Sequence, residues 1–219
     1  MTEAEWLTCA EPAPMLEFLR GRASDRKLRL FVCGCVRQTH LNAEQTNRVL
    51  RVAEDIADGL AVDKERNELL EALYDPEEGI DAIHIDLLIR SPNTRWVDER
   101  VADEARVVGF QTVPFQSLNH RRTEWQKIVQ SEHARQTTTL RDTFGNPFRP
   151  ITFSPEWRTG TAVSLAQQMY ESRDFGTMPI LADALQDAGC DSADVLDHCR
   201  GEGPHVRGCW VVDLVLGKA

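Results

Sequence analysis

Apolar residues recur along most of this chain at intervals of three and four positions, which is the spacing of one face of an α-helix. The clearest run follows Ser24 and places five residues on one face: Leu28, Phe31, Val32, Cys35 and Val36. Serine is a preferred helix N-cap because its side chain accepts a hydrogen bond from a free backbone amide. The pattern therefore predicts a strongly amphipathic helix that begins after Ser24.

Capping and stop signals divide the rest of the chain into further helices. Thr2 is suited to cap a short first helix, and Pro12 or Pro14 to open a second. Asn42 with Gln45 forms a capping-box pattern ahead of another helix. Further helices are predicted to start at Thr94, at Thr159 or Thr161, after Thr177 and at Pro204. Two more are predicted over residues 123–140 and 191–199.

Two segments fit more than one kind of structure. Residues 80–89 alternate as a strand would, but they also suit a helix, and Asp75-Pro76 before them is a helix-start signal. Residues 209–216 contain the β-branched pair Val211-Val212, so this segment is compatible with either a strand or a helix. The predicted fold is therefore an all-α, irregular multi-helix bundle, with minor strand content at 80–89 or 209–216 as the alternative.

The balance of charge argues against two classes of partner. Thirty-five acidic residues against 25 basic ones give a formal net charge of −10. A field of that sign repels nucleic acid and anionic membranes. The longest apolar runs are far shorter than the roughly 20 residues of a membrane span, and the start has no secretory signal pattern. We therefore expect a cytoplasmic protein whose six cysteines are reduced thiols or metal ligands.

Cysteine and histidine are concentrated near the C-terminus, where they suggest a zinc site. A structural zinc site typically takes four Cys or His ligands in tetrahedral reach. The candidate ligands are Cys190, His198, Cys199, His205 and Cys209. If the last segment is helical from Pro204, His205 and Cys209 share one helical face. Spacing alone favours a plainer interpretation as buried cysteines and capping histidines, because the chain has no Cys-x-x-Cys motif.

A wider zinc site would also include residues near the N-terminus. Cys33 and Cys35 lie two positions apart, and His40 follows them. A structural zinc ion shared by the two ends of the chain would make the melting temperature sensitive to chelators. Cys35 also falls on the apolar face of its predicted helix, where a free cysteine acts as a small hydrophobic residue.

Two other kinds of site are weaker candidates. Gly203, His205 and Arg207 could hold an anion at the start of the last helix, although Glu202 and the lack of a preceding strand argue against a nucleotide. The plain alternative is a turn between helices. Cys199 or Cys209 beside a histidine could act as a nucleophile, but nothing in the spacing fixes that geometry. No catalytic residue is predicted.

Several segments together resemble an uncharacterised protein family that is numerous in planctomycete bacteria. They include Met1-Thr-Glu-Ala-Glu-Trp-Leu, Phe144-Gly-Asn-Pro-Phe-Arg-Pro, His198-Cys-Arg and Gly203-Pro-His-Val-Arg-Gly-Cys-Trp-Val-Val-Asp. The resemblance covers residues 1–58 and 138–219 and brings no activity with it. It implies a variable middle region, 60–137. In the family, a cysteine often stands where this chain has Val36, which removes one candidate metal ligand here.

The predicted organisation is a single helical domain over 1–219, with the variable middle region 60–137 and a C-terminal helical subdomain 151–219. Phe144–Pro150 contains two prolines and a glycine, so it is expected to be a non-helical connector. The two ends are expected to form a scaffold and the middle region to present a surface to a protein partner. The predicted function is a non-catalytic binding or adaptor protein. The alternatives are a Cys/His protein with structural zinc or hydrolytic chemistry, and a helical regulator of nucleic acid.

Overall fold

A computed structural model describes residues 1–38, 44–60 and 118–218, and the regular structure in these ranges is helical, as predicted. Residues 210–216 form a helix rather than a strand, Cys209 is its N-cap, and residues 80–89 lie outside the described ranges. The helices are α1 (Glu3–Thr8), α2 (Pro12–Leu19), α3 (Asp25–Arg37), α4 (Glu44–Ala57), α5 (Leu118–Phe144), α6 (Gly160–Ser172), α7 (Met178–Asp187), α8 (Ala193–Arg200) and α9 (Trp210–Leu216). Within the described residues, none of them combines the length and hydropathy that a bilayer span requires.

Helix starts follow the capping signals in the sequence. Thr2 and Glu5 form a reciprocal capping box at α1. The Ser24 hydroxyl accepts a hydrogen bond from the Lys27 amide at 3.3 Å, and Thr159 caps α6 through the Ala162 amide at 3.3 Å. These hydroxyls satisfy backbone amides that have no partner inside the helix. The capping box predicted at Asn42 lies outside the described residues.

The chain divides into two compact units, Met1–Thr137 and Thr138–Ala219. In the first unit, α3 packs against α4. The largest fully buried side chains there include Trp6, Met15, Leu16, Phe31 and Leu50. The predicted C-terminal subdomain, 151–219, starts after the connector. The second unit starts earlier, inside α5. The last turns of α5 belong to it and carry buried residues such as Leu140 and Thr143.

The second unit is a small array of short helices. Helix α6 packs against α7 and α9, α7 packs against α8, and α8 contacts α9. Their shared core includes Met169, Leu181, Leu185, Val195 and Val211. The connector predicted from two prolines and a glycine is indeed not helical after Phe144. A single 3-10 turn at Pro155–Trp157 precedes α6.

The last helix starts later than the sequence suggested. Pro204 does not open it; residues 202–209 form a loop that is buried only over 206–209, and α9 begins at Trp210 after Cys209 as N-cap. Gly203 and Gly208 have φ angles of +84° and +96°. Glycine adopts such angles readily and an α-helix does not contain them. The two glycines therefore interrupt the helical pattern that Val206, Trp210 and Leu214 otherwise display.

Candidate metal centre

Four potential metal ligands converge in the second unit: Asp142, His198, His205 and Cys209. Each offers one ligand atom, and these atoms all lie within 4.8 Å of one another. Asp142 comes from the last turn of α5, His198 from the last turn of α8, His205 from the loop after α8, and Cys209 from the N-cap of α9. The cluster thus joins the ends of three helices and one loop.

The distances within the cluster are close to those of a tetrahedral metal site. His198 Nε2 lies 3.1 Å from Cys209 Sγ and 3.2 Å from Asp142 Oδ1, and His205 Nδ1 lies 2.8 Å from Asp142 Oδ1. Around a tetrahedral zinc ion with bonds of about 2.0–2.3 Å, neighbouring ligand atoms are about 3.3–3.6 Å apart. Small side-chain movements would therefore be enough to place these atoms around one ion.

The Asp142 carboxylate is fixed by both of its oxygens. Oδ1 faces the two histidine rings, whereas Oδ2 accepts a hydrogen bond from the backbone amide of Val206 at 2.9 Å. Hydrogen bonds from outside the ligand set commonly orient the ligands of a metal and restrict how they bind. The Val206 amide leaves Oδ1 as the oxygen available to a metal ion, so Asp142 is arranged to bind through one oxygen.

Burial and hydrogen bonding act in opposite directions on Asp142. Burial alone would raise its pKa, but the hydrogen bonds with His198 and His205 outweigh burial and lower the pKa below its ordinary value of 3.8. The carboxylate is therefore ionised at neutral pH. An anion is thus held inside the second unit, next to two imidazole rings.

We expect the lowered pKa of Asp142 to appear in the acid unfolding of the metal-free protein. An ionised group with a lowered folded-state pKa stabilises the fold above its unfolded-state pKa, and this contribution is lost as the pH falls through the folded-state value. In urea unfolding with a chelator present, the wild-type protein should lose stability below about pH 4 more steeply than Asp142→Asn. Asp183→Asn is the control because the Asp183 side chain is 72% exposed. A decline as steep in Asp142→Asn as in the wild type would contradict the expectation.

The cysteines near the cluster are poor nucleophiles without a metal. Burial, followed by the Asp142 carboxylate, raises the pKa of Cys209 well above its ordinary value, although backbone amides of Val212 and Val211 donate hydrogen bonds that oppose the rise. Burial, Cys190 and Asp142 raise the pKa of Cys199 to about 12. Since the thiolate is the reactive form of cysteine, neither residue suits the nucleophilic role considered from the sequence.

The geometry also differs from that of a Cys-His-Asp catalytic relay. A relay uses both nitrogens of the histidine ring, one toward the nucleophile and the other toward the carboxylate. Here His198 Nε2 faces both Cys209 Sγ and Asp142 Oδ1. The four ligand atoms form a compact group within 4.8 Å of one another, without the linear order that proton transfer through a relay requires.

Three of the five predicted zinc ligands belong to the cluster, and two do not. His198, His205 and Cys209 come together, whereas Cys190 and Cys199 lie buried in the hydrophobic core, outside the group. His205 and Cys209 meet because the loop before α9 folds back, not because they share a helical face. The wider site does not form among the described residues: Cys33 and Cys35 are buried in α3, and His40 is outside the described ranges.

Asp142 is the ligand that the sequence analysis missed. It lies two positions beyond the predicted helix 123–140, and its partners His198 and His205 follow 56 or more positions later. The only local signal is its place just before the connector Phe144–Pro150. An acidic side chain at that point is expected to be exposed to solvent, yet Asp142 is only 3% exposed.

The residues considered for an anion site are engaged inside the protein. His205 Nδ1 and the Val206 amide hold the Asp142 carboxylate, so the anion at this loop is a side chain of the chain itself. Arg207 lies over the ring of Tyr170, 4.5 Å from its centroid. Gly203 allows the turn: a Cβ there would lie 2.9 Å from the His205 amide nitrogen. The final helix, which begins at Trp210, does not present its N-terminus at Gly203.

Comparison with known proteins does not relate this site to a known family. No protein-family model, curated protein or solved structure matches the chain. The function must therefore be inferred from the chemistry of the residues themselves.

Proposed function

We propose that the second unit, Thr138–Ala219, is a zinc-binding module in which Asp142, His198, His205 and Cys209 are the four ligands. The observation that carries the proposal is the convergence of one oxygen, two nitrogens and one sulfur within 4.8 Å of one another. Zinc accepts all three kinds of atom and favours four of them in a tetrahedron.

The donor set selects zinc over the common alternatives. Magnesium and calcium prefer six or more oxygen ligands, which this cluster does not offer. Imidazole and thiolate favour zinc and other late transition metals. Charge supports the choice as well, because one thiolate and one carboxylate neutralise a divalent ion. Two buried anions side by side are otherwise unfavourable, and metal binding deprotonates a coordinating thiol outright.

The site has the character of a structural metal centre. Four protein ligands fill a tetrahedron and leave no position for a reactive water, in contrast to the three ligands of catalytic zinc. The side chains of Asp142 and His205 are only 3% and 8% exposed, and Cys209 is fully buried. A bound ion would tie the end of α5 to α8 and to the start of α9.

A structural ion agrees with the non-catalytic role that the sequence predicted. A metal-stabilised helical scaffold is suited to a binding or adaptor role, which requires no catalytic activity. The protein partner stays a prediction, because the middle region expected to recognise it lies largely outside the described residues. Membership of the planctomycete family is likewise a proposal that the termini support by resemblance.

Metal analysis of the full chain tests the proposal directly. Native mass spectrometry of protein taken from cells without chelators is expected to show about one zinc ion per chain, with excess magnesium unable to displace it. Replacement by Co²⁺ should give the intense visible absorption of a tetrahedral site together with a sulfur-to-cobalt charge-transfer band. A chain that binds neither ion, or a cobalt complex without the sulfur band, would overturn the proposal; a native copper or iron ion would reassign the metal.

A further inference from the structure

One ligand of the proposed centre is more accessible than the others. The side chain of His198 is 18% exposed, compared with 8% for His205 and 3% for Asp142. A metal ion leaves a closed site by losing its ligands one after another, and the ligand that reaches solvent is the easiest for water to replace. The stability of the His198 bond therefore sets how fast the ion exchanges.

Two aromatic rings confine the His198 imidazole. The indole of Trp210 lies against it with ring centroids 5.1 Å apart, tilted by 55°. The ring of His205 meets it edge-on at 4.9 Å. Since His205 is itself a proposed ligand, Trp210 is the contact from outside the ligand set, and it follows the ligand Cys209 directly in the chain.

The indole of Trp210 in turn packs closely against the backbone of Gly145. A Cβ at Gly145 would lie 3.1 Å from both Cγ and Cδ2 of the indole, closer than ordinary van der Waals contact. Gly145 also has a φ angle of +63°, which a side chain would disfavour. Its amide donates to the Arg141 carbonyl at 2.9 Å, one residue before Asp142. The indole thus rests on the end of the helix that supplies Asp142.

We propose that Trp210 is a positioning residue that holds the His198 imidazole on the metal ion and slows metal exchange. This inference rests on the proposed zinc site. The indole, 5.1 Å from the imidazole centroid, restricts rotation of the His198 ring away from the ion. Gly145 provides the space that lets the indole occupy this position. Residues of this kind, outside the ligand set, typically change metal affinity about 10–100-fold when replaced.

The test is the rate of zinc transfer from the full chain to a chromophoric chelator. Trp210→Leu keeps an apolar side chain but removes the aromatic face, so zinc release is expected to accelerate about tenfold or more. Trp210→Phe should restore most of the slow release. Trp157→Phe is the matched control, because Trp157 lies in the same unit and packs on Phe153 at 5.2 Å, away from the proposed ligands. The Co²⁺ spectrum should shift in Trp210→Leu and stay unchanged in Trp157→Phe.

The outcomes separate this inference from the zinc site itself. If the wild-type chain binds no metal, the proposed function fails. If the wild type binds zinc and Trp210→Leu releases it at the wild-type rate with an unchanged Co²⁺ spectrum, only the positioning role fails. Equal acceleration in Trp210→Phe and Trp157→Phe would also overturn the role, because it would indicate general loosening of the unit. Should Trp210→Leu not fold, Trp210→Met takes its place: faster zinc release from Trp210→Met than from Trp157→Phe supports the role, and equal rates overturn it.

Discussion

Replacing Cys209 with serine is expected to abolish tight zinc binding, so that the purified full chain carries close to no zinc instead of one ion. The thiolate supplies both the softest donor atom and one of the two negative charges that neutralise the ion. A serine hydroxyl remains protonated and offers neither. The loss in affinity should exceed the roughly 10–100-fold that changes outside the ligand set cause. His205→Ala and Asp142→Ala should behave in the same way, as measured by metal analysis after dialysis.

A matched cysteine variant makes this result specific. Cys190 was a candidate ligand from the sequence, but it is 3% exposed in the core and lies outside the four-residue group. Cys190→Ala is therefore expected to retain one zinc ion per chain, even if removing a buried sulfur lowers stability. Loss of zinc from Cys190→Ala together with retention in Cys209→Ser would contradict the proposed set of Asp142, His198, His205 and Cys209.

Removing zinc from the wild-type chain is expected to lower the melting temperature of the second unit substantially. An ion that binds only the folded state stabilises it by about 4 kcal/mol when free zinc is a thousandfold above the dissociation constant. For a unit of roughly 60–100 residues, that corresponds to about 15–30 °C. The reason is that the ion joins the ends of three helices of the second unit.

Differential scanning calorimetry with and without a strong chelator measures this effect. Cys209→Ser is the control, because its melting temperature should not respond to the chelator if the shift comes from the proposed centre. Adding zinc back should restore the wild-type transition. An identical transition with and without chelator, in protein shown to contain zinc, would mean that the ion has no structural role.

The sequence alone predicted the features that depend on neighbouring residues. Helix α3 begins after Ser24 and buries the predicted apolar face, including Phe31 and Cys35. Thr2 and Thr159 cap the helices that follow them. Hydrogen bonds between a capping side chain and amides two or three residues away, and apolar spacing within a helix, are local interactions, so a short stretch of sequence is enough to specify them.

The composition of the proposed centre was decided by the tertiary structure. His198, His205 and Cys209 could be named from their residue types, but Asp142 joins them across 63 positions of sequence to His205, and no local pattern distinguishes it from a surface acid. Cys190, Cys199 and Cys209 all lie in the same core, yet packing brings only the sulfur of Cys209 to the other three ligand atoms. The backbone turns at Gly203 and Gly208 decide which side chains face one another. Whether a residue becomes a ligand depends on where long-range packing puts its ligand atom, and residue type only determines which metal that atom would suit.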